Sequence, residues 1–284
     1  MRVGDMVVRK SHNKDIVFRI VGFVEDDSRK KMALLKGVAL RIIADSYIDD
    51  LERIEEYDIH RYIIDREVES LLYKVLRDMK EKEKKYYRQT NTNATNTYGR
   101  PGKVLHLDGD SEYLKICLEV YSKLGIPAVG KAISEENQYK EIRALLEEHN
   151  PDILVITGHD SILNSKGDLK DVGNYRNTTN FIKAVKEARK YEPSLDNLVI
   201  FAGACQSNYE EILKCGANFA SSPHRIMIHA LDPVFIVEKI ACSRIDKVVP
   251  LEEVFEHTIT GTKGVGGLET KGKYRLAMPK SIYN

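Results

Sequence analysis

The sequence predicts an α/β protein in two parts, a small N-terminal β-barrel followed by a larger unit built on a parallel sheet flanked by helices. Three observations carry that expectation. The chain opens with short β-rich runs, passes through a charged helical stretch into a polar low-complexity tract, and then alternates apolar runs with amphipathic segments. Its 284 residues also exceed the ~100–200 of one typical domain.

The opening runs cover residues 3–9, 16–23 and 32–37, separated by polar turn segments, which suits a small barrel of the SH3-like kind over residues 1–48. Across residues 49–87, Tyr62, Ile63, Val68, Leu71, Leu72, Val75 and Leu76 recur at helical spacing and predict one or two helices. Residues 88–100 hold an Asn/Thr tract that has no apolar surface to bury, so they are expected to form a flexible linker. Residues 101–284 make the second unit. Strands are expected at 104–107, 128–133, 153–157, 198–201 and near 219–220, with helices at 111–124, 136–148, 177–191 and 209–215.

Lys and Arg total 44 against 43 Asp and Glu, a formal charge of +1. Such a balance gives no global field, so neither nucleic acid nor a membrane is an expected partner. No run approaches the ~20 apolar residues of a membrane span, and the N-terminus carries no apolar leader, so the chain is expected to be soluble and not secreted. Its four cysteines, at 117, 205, 215 and 242, form no Cys-x-x-Cys pair. Neither a disulfide framework nor a zinc knuckle is expected, which leaves reduced thiols, one of them available for catalysis.

Three predicted strands end in small or polar clusters at 108–111, 158–161 and 202–207. Ligand sites of open α/β sheets lie beyond the carboxyl ends of the strands, so these clusters should converge. His159 ends one such strand and Cys205 the next. Neighbouring strands lie ~4.8 Å apart, close enough for the imidazole to take the thiol's proton while the following helix N-terminus favours the thiolate. Cys117, Cys215 and Cys242 fall in helical or apolar patterns and are expected to pack in the core. His224 and His229 are expected to be structural histidines. A phosphate-loop mimic at 267–274 has Tyr274 where Ser or Thr would ligate magnesium, so residues 261–273 are expected to be a flexible Gly-rich loop. No metal or organic cofactor is expected.

The His-ending and Ala-Cys-ending strands, in that order, resemble the clan of caspases, legumains, gingipains and clostripains over about the last two-thirds of the chain. The whole chain, with Gly4-Asp5-Met6-Val7-Val8-Arg9-Lys10-Ser11 at its start and Gly203-Ala204-Cys205-Gln206-Ser207 further on, resembles peptidase family U57 of spore-forming Firmicutes. The resemblance implies a caspase-like catalytic domain and a cysteine endopeptidase that trims spore-coat or cortex precursor proteins in the mother-cell cytoplasm, in association with the coat. It places His159 and Cys205 on the catalytic positions.

The clan usually has Gly directly after the catalytic His, whereas here Asp160 follows and Gly158 precedes. The backbone N–H groups of Cys205 and Asp160 are the expected oxyanion donors, and the Asp160 side chain is expected to shape its turn. Arg-specific members of the clan carry an acidic residue near the end of the first sheet strand. Asp108 and Asp110 occupy that region, so cleavage after Arg, or Lys, is expected, with one of the two lining the S1 pocket. Helix capping before Ser111 is an equal alternative for either. Arg88, beside the linker, is the expected self-cleavage site. Two other functions stay open. A Cys-dependent amidotransferase-like hydrolase would use His224 or His229 in place of His159, and a docking protein would act through the barrel alone.

Overall fold

The computed structural model describes residues 1–26, 28–54, 66–89 and 98–279. The N-terminal part is an antiparallel sheet of β1 (Met6–Arg9), β2 (Val17–Glu25), β3 (Lys31–Gly37), β4 (Ile43–Tyr47) and β5 (Leu51–Arg53). Period-two alternation turns Val7, Phe18, Ile20, Ala33 and Leu35 onto one buried face. The strand order is β4-β3-β2-β1-β5. A single 3-10 turn, Ile48–Asp50, carries the chain from one edge strand to the other. Three residues span only about 10 Å, so the sheet must curl strongly. No ladder joins the two edges, however, and the expected closed barrel is an open, curled sheet.

Leu51–Arg53, expected to begin the helical stretch, is captured as a strand by β1. Helix α1 (Arg66–Gln89) follows and buries Val68, Leu72 and Val75. The expected linker falls mostly on residues 90–97, outside the described residues. Arg88 belongs to the last turn of α1.

After the short strand β6 (Tyr98–Arg100) comes the second unit. It runs through β7 (Val104–Asp108), α2 (Ser111–Lys123), β8 (Ala128–Ala132), α3 (Glu135–His149), β9 (Ile153–Thr157), α4 (Thr178–Tyr191), β10 (Val199–Ala202), α5 (Tyr209–Lys214) and β11 (Phe219–Ser221). Next are the wholly buried α6 (Asp232–Ala241), β12 (Val248–Val249), α7 (Leu251–Phe255), β13 (Val265–Gly267), β14 (Thr270–Lys271) and β15 (Arg275–Ala277). Strands β7 to β11 form a parallel sheet, with β13 antiparallel at its edge, in the order β13-β11-β10-β9-β7-β8. β7, β9 and β10 are buried on both faces, as strands covered by helices on each side must be. Because β7 leads outward to β8 and then back to β9, strand order reverses between β7 and β9, which opens a crevice beyond their carboxyl ends.

β13 lies where a flexible loop was expected. Its glycines reflect close packing: a Cβ at Gly267 would sit 2.2 Å from the Phe219 ring and one at Gly266 2.6 Å from the Tyr209 hydroxyl.

Asp160 ties the crevice loops together from its buried position after β9. Its carboxylate accepts from the backbone N–H groups of Ser161 (2.9 Å) and Asn177 (2.7 Å), from the Thr178 hydroxyl at the start of α4, and from Ser207 Oγ (2.8 Å) in the loop after β10. Ser207 Oγ in turn accepts from the Ala204 N–H at 2.9 Å. Asp160→Ala strands several buried donors and is expected to lower stability by about 3 kcal/mol, read as a fall in the urea midpoint. Asp160→Asn keeps an acceptor oxygen and should lose less than half of that.

Candidate active site

Each candidate side chain is presented by a strand end. β10 exits through Gly203, at φ +109°, a conformation that excludes other residues, and reaches Cys205 three residues beyond the strand. The thiol is 2% exposed, and its sulfur accepts from the Ile228 N–H at 3.2 Å. Burial pushes this thiol up to about 11, against the opposing pull of the Ile228 N–H and of the Arg41 charge and backbone N–H.

β9 exits through Gly158 to His159. The His159 backbone N–H donates to Glu135 Oε1 at 2.7 Å, and its carbonyl accepts from Asn177 Nδ2 at 2.9 Å. A Cβ at position 158 would come within 2.2 Å of Glu135 Oε1, so glycine precedes the histidine here to admit that carboxylate. The imidazole Nε2 lies 3.0 Å from Asp110 Oδ2. A carboxylate acceptor selects the Nε2–H tautomer in the neutral ring and leaves the lone pair on Nδ1, which is buried and has no hydrogen-bond partner among the described residues. No hydrogen bond joins His159 to Cys205. Tyr113 links their surroundings: its ring centroid is 5.9 Å from that of His159, and burial, aided by the charges of Asp110 and Cys205 against that of Arg41, holds its hydroxyl well above the usual phenol range.

The two acidic candidates separate cleanly. Asp110 is the N-cap of α2, accepting from the Glu112 and Tyr113 N–H groups, while its other oxygen meets His159 and the Lys36 ammonium at 2.6 Å. Burial opposes its charge, but His159 and Lys36 outweigh burial and hold the carboxyl well below the usual range. Asp108 is fully buried at the end of β7. It accepts from Thr157 Oγ1 at 2.9 Å and from the Asp110 N–H at 2.9 Å, and Oδ2 lies 2.7 Å from Arg41 Nη1. Burial again opposes charge, and Arg41 together with His106 prevails, holding the carboxyl at about 2.

Arg41, absent from the sequence-based candidates, is itself fully buried. Its guanidinium stacks 4.9 Å from the Tyr113 ring centroid, with Cys117 Sγ at 3.8 Å and the Ala230 carbonyl at 3.5 Å from Nη2. Cys117 is thus a core residue that also walls the Arg41 pocket. A single arginine inside Val38-Ala39-Leu40-Arg41-Ile42-Ile43 was the available signal, since a lone charge in an apolar run demands a buried partner. Ile228 and Tyr113 carried no such mark.

The remaining candidates have structural positions. Asp160 follows His159, but its side chain turns to α4 and Ser207. His229 Nδ1 accepts from the Leu231 N–H at 3.1 Å, and its own N–H donates to Asp232 at 3.0 Å. His224 lies in a loop whose backbone meets Lys263. Away from the crevice, Asp78, Glu256 and His257 place three possible ligand atoms within 4.8 Å of one another. Glu256 there already meets Lys74 at 3.1 Å and Lys239 at 3.5 Å. Among the described residues, no helix is long and apolar enough to cross a membrane.

The model of the YabG peptidase U57 family matches residues 2–279. The chain is 44% identical over 286 aligned residues to the sporulation-specific protease YabG of Bacillus subtilis, covering 98% of each. A likeness to the solved structure of NtrX from Brucella abortus covers 50% of this chain and 27% of the other, at 14% identity and a TM-score of 0.32. On the family match and the near-full-length relative, this chain is a peptidase belonging to the YabG peptidase U57 family.

Proposed function

We propose that the protein is a cysteine endopeptidase that cleaves after arginine, and secondarily lysine, in spore-coat or cortex precursor proteins, on a caspase-like catalytic domain. The observation that carries the arginine preference is the fully buried Asp108 carboxylate with a guanidinium 2.7 Å away, beside the thiol loop. A carboxylate in that position leaves a neutral P1 side chain facing an unpaired buried charge, and that is a strong basis for rejection. Cys205 attacks the scissile carbonyl as a thiolate, and His159 takes the thiol proton and returns it to the leaving amine. Asp110 holds the His159 ring through Nε2, which keeps Nδ1 as the basic atom. The N–H groups of Cys205 and Asp160 are assigned to the oxyanion. The involvement of His229 backbone and ring atoms in local structure favours His159 as the base over the amidotransferase alternative. Spore precursors as substrates follow from the relative's name, and Arg88 remains the proposed self-cleavage site in the last turn of α1.

Matched fluorogenic peptides with Arg, Lys, Asp or Ala at P1 test the reading. Arg is expected to exceed Ala by at least about 100-fold in kcat/KM, and Cys205→Ala and His159→Ala each to lose at least about 1,000-fold on the Arg peptide. Full activity in Cys205→Ala would refute the assignment. In Asp108→Asn, the Arg-to-Ala ratio should fall by at least about 100-fold.

The depressed Asp108 carboxyl also gives a pH signature. A folded-state value of about 2 against ~3.9 in the unfolded chain stabilises the fold above pH ~4 and is lost as pH falls toward 2. Acid should therefore lower the urea midpoint of the wild type more steeply than that of Asp108→Asn, by about 2 kcal/mol across that window. Parallel curves would remove Asp108 from the account.

A further inference from the structure

The β3–β4 connection of the N-terminal sheet lies across the strand-end crevice. Its Ala39 carbonyl accepts from the Ala230 N–H at 3.0 Å, and Leu40 forms an antiparallel bridge with His229. The Leu40 carbonyl accepts from the Tyr113 hydroxyl at 2.9 Å, and the Gly37 carbonyl is held by the same hydroxyl. Main-chain pairing along an exposed edge, with one side chain dropped into a pocket, is how extended peptides are bound as added strands. Here the dropped side chain is Arg41, on Asp108. The residue after the bridge is Arg41, whose charge lies close enough to the Cys205 thiol to oppose the effect of its burial. The thiol is 2% exposed, and Val38 of this connection shares its apolar cluster, with Ala39 packed against it.

The fit is good without being complete. Among the described residues Arg41 Nε, which is buried, has no hydrogen-bond partner, whereas a guanidinium locked permanently into a core normally satisfies its donors. Nearby, Lys36 meets Asp110 (2.6 Å) and Glu112 (2.7 Å), and Arg19 meets Glu112 (3.0 Å). Two of these pairs end on the partly exposed Glu112 and are open to solvent, whereas the Lys36–Asp110 pair is largely buried and must also break for the connection to leave.

We infer that residues 39–42 are a tethered substrate mimic: Arg41 fills the pocket that receives the arginine of a protein substrate, and cleavage in trans requires the β3–β4 connection to leave the crevice. This rests on the arginine-directed cysteine-peptidase reading above, but it can be tested without any cleavage. Iodoacetamide alkylation, resolved by cysteine with peptide mass spectrometry, reports exposure of Cys205 directly. In the full-length chain, Arg41→Ala is expected to alkylate at Cys205 at least 10-fold faster than wild type. The half-buried Cys215 and Cys242 should keep their wild-type rates. Arg41→Lys, which leaves a cation on Asp108, should stay within about threefold of wild type. The Arg peptide should be cut at least 10-fold faster by Arg41→Ala.

Equal Cys205 rates in wild type and Arg41→Ala would overturn the mimic. So would a rise of equal size at Cys205, Cys215 and Cys242, because Arg41 would then hold the whole fold and not a detachable segment. Selective exposure of Cys205 without cleavage of any Arg peptide would uphold the occupancy and remove the arginine-directed reading. Cleavage of the Arg peptide at one rate by wild type and Arg41→Ala, with equal alkylation, would do the reverse.

Discussion

The Arg41–Asp108 ion pair is the constraint around which the crevice is arranged. Two charges removed from water are tolerated only with close geometry and further polar contacts, and the chain recruits both of its parts to provide them. Asp108 ends the first strand of the parallel sheet, Arg41 comes from the connection between two strands of the N-terminal sheet, and Tyr113 and Cys117 of α2 wall them in. The N-terminal sheet is therefore positioned by the same carboxylate that gives the pocket its charge. Under the proposed arginine-directed reading, docking of one part and substrate selection by the other depend on a single interaction.

Asp110 and Asp160 show how little of the crevice is left to side-chain rotamers alone. Asp110 caps α2 with one oxygen and orients the His159 ring with the other, so the helix start fixes the imidazole. Asp160 joins the loop after β9 to α4 and to the loop after β10, so the distance between the loops that present His159 and Cys205 is set by a chain of buried hydrogen bonds through Ser207. Preorganisation of this kind is what an acyl-transfer site needs, since donors and bases must be in place before charge develops.

Much of this was legible in the sequence where local rules act. The alternation of apolar runs with amphipathic segments placed strands β7 to β11 and helices α2 to α5 within a few residues, because strands buried on both faces need continuous apolar runs. The convergence of the clusters around Asp108, His159 and Cys205 followed from where such sheets place their sites. What escaped was set by distant partners. Leu51–Arg53 has no strand pattern of its own and becomes one through β1, and β13 hid behind glycines that serve tight packing. Barrel closure failed for a related reason, since strand propensity does not determine whether two edges meet. The division of labour between Asp108 and Asp110 also depended on Arg41 and Lys36, which approach from another sheet.

The order of the chain adds a temporal meaning to this geometry. A ribosome releases residue 41 well before residue 205, and domains generally fold as units in the order they emerge. The N-terminal sheet, with its arginine-bearing connection, is consequently synthesised before the thiol that the proposed mimic would cover. On the proposed reading, a cover encoded downstream of Cys205 would leave an interval in which the new crevice stood open to any basic peptide nearby, the nascent chain included. Encoded upstream, the cover can seat as the parallel sheet closes, and the interval vanishes.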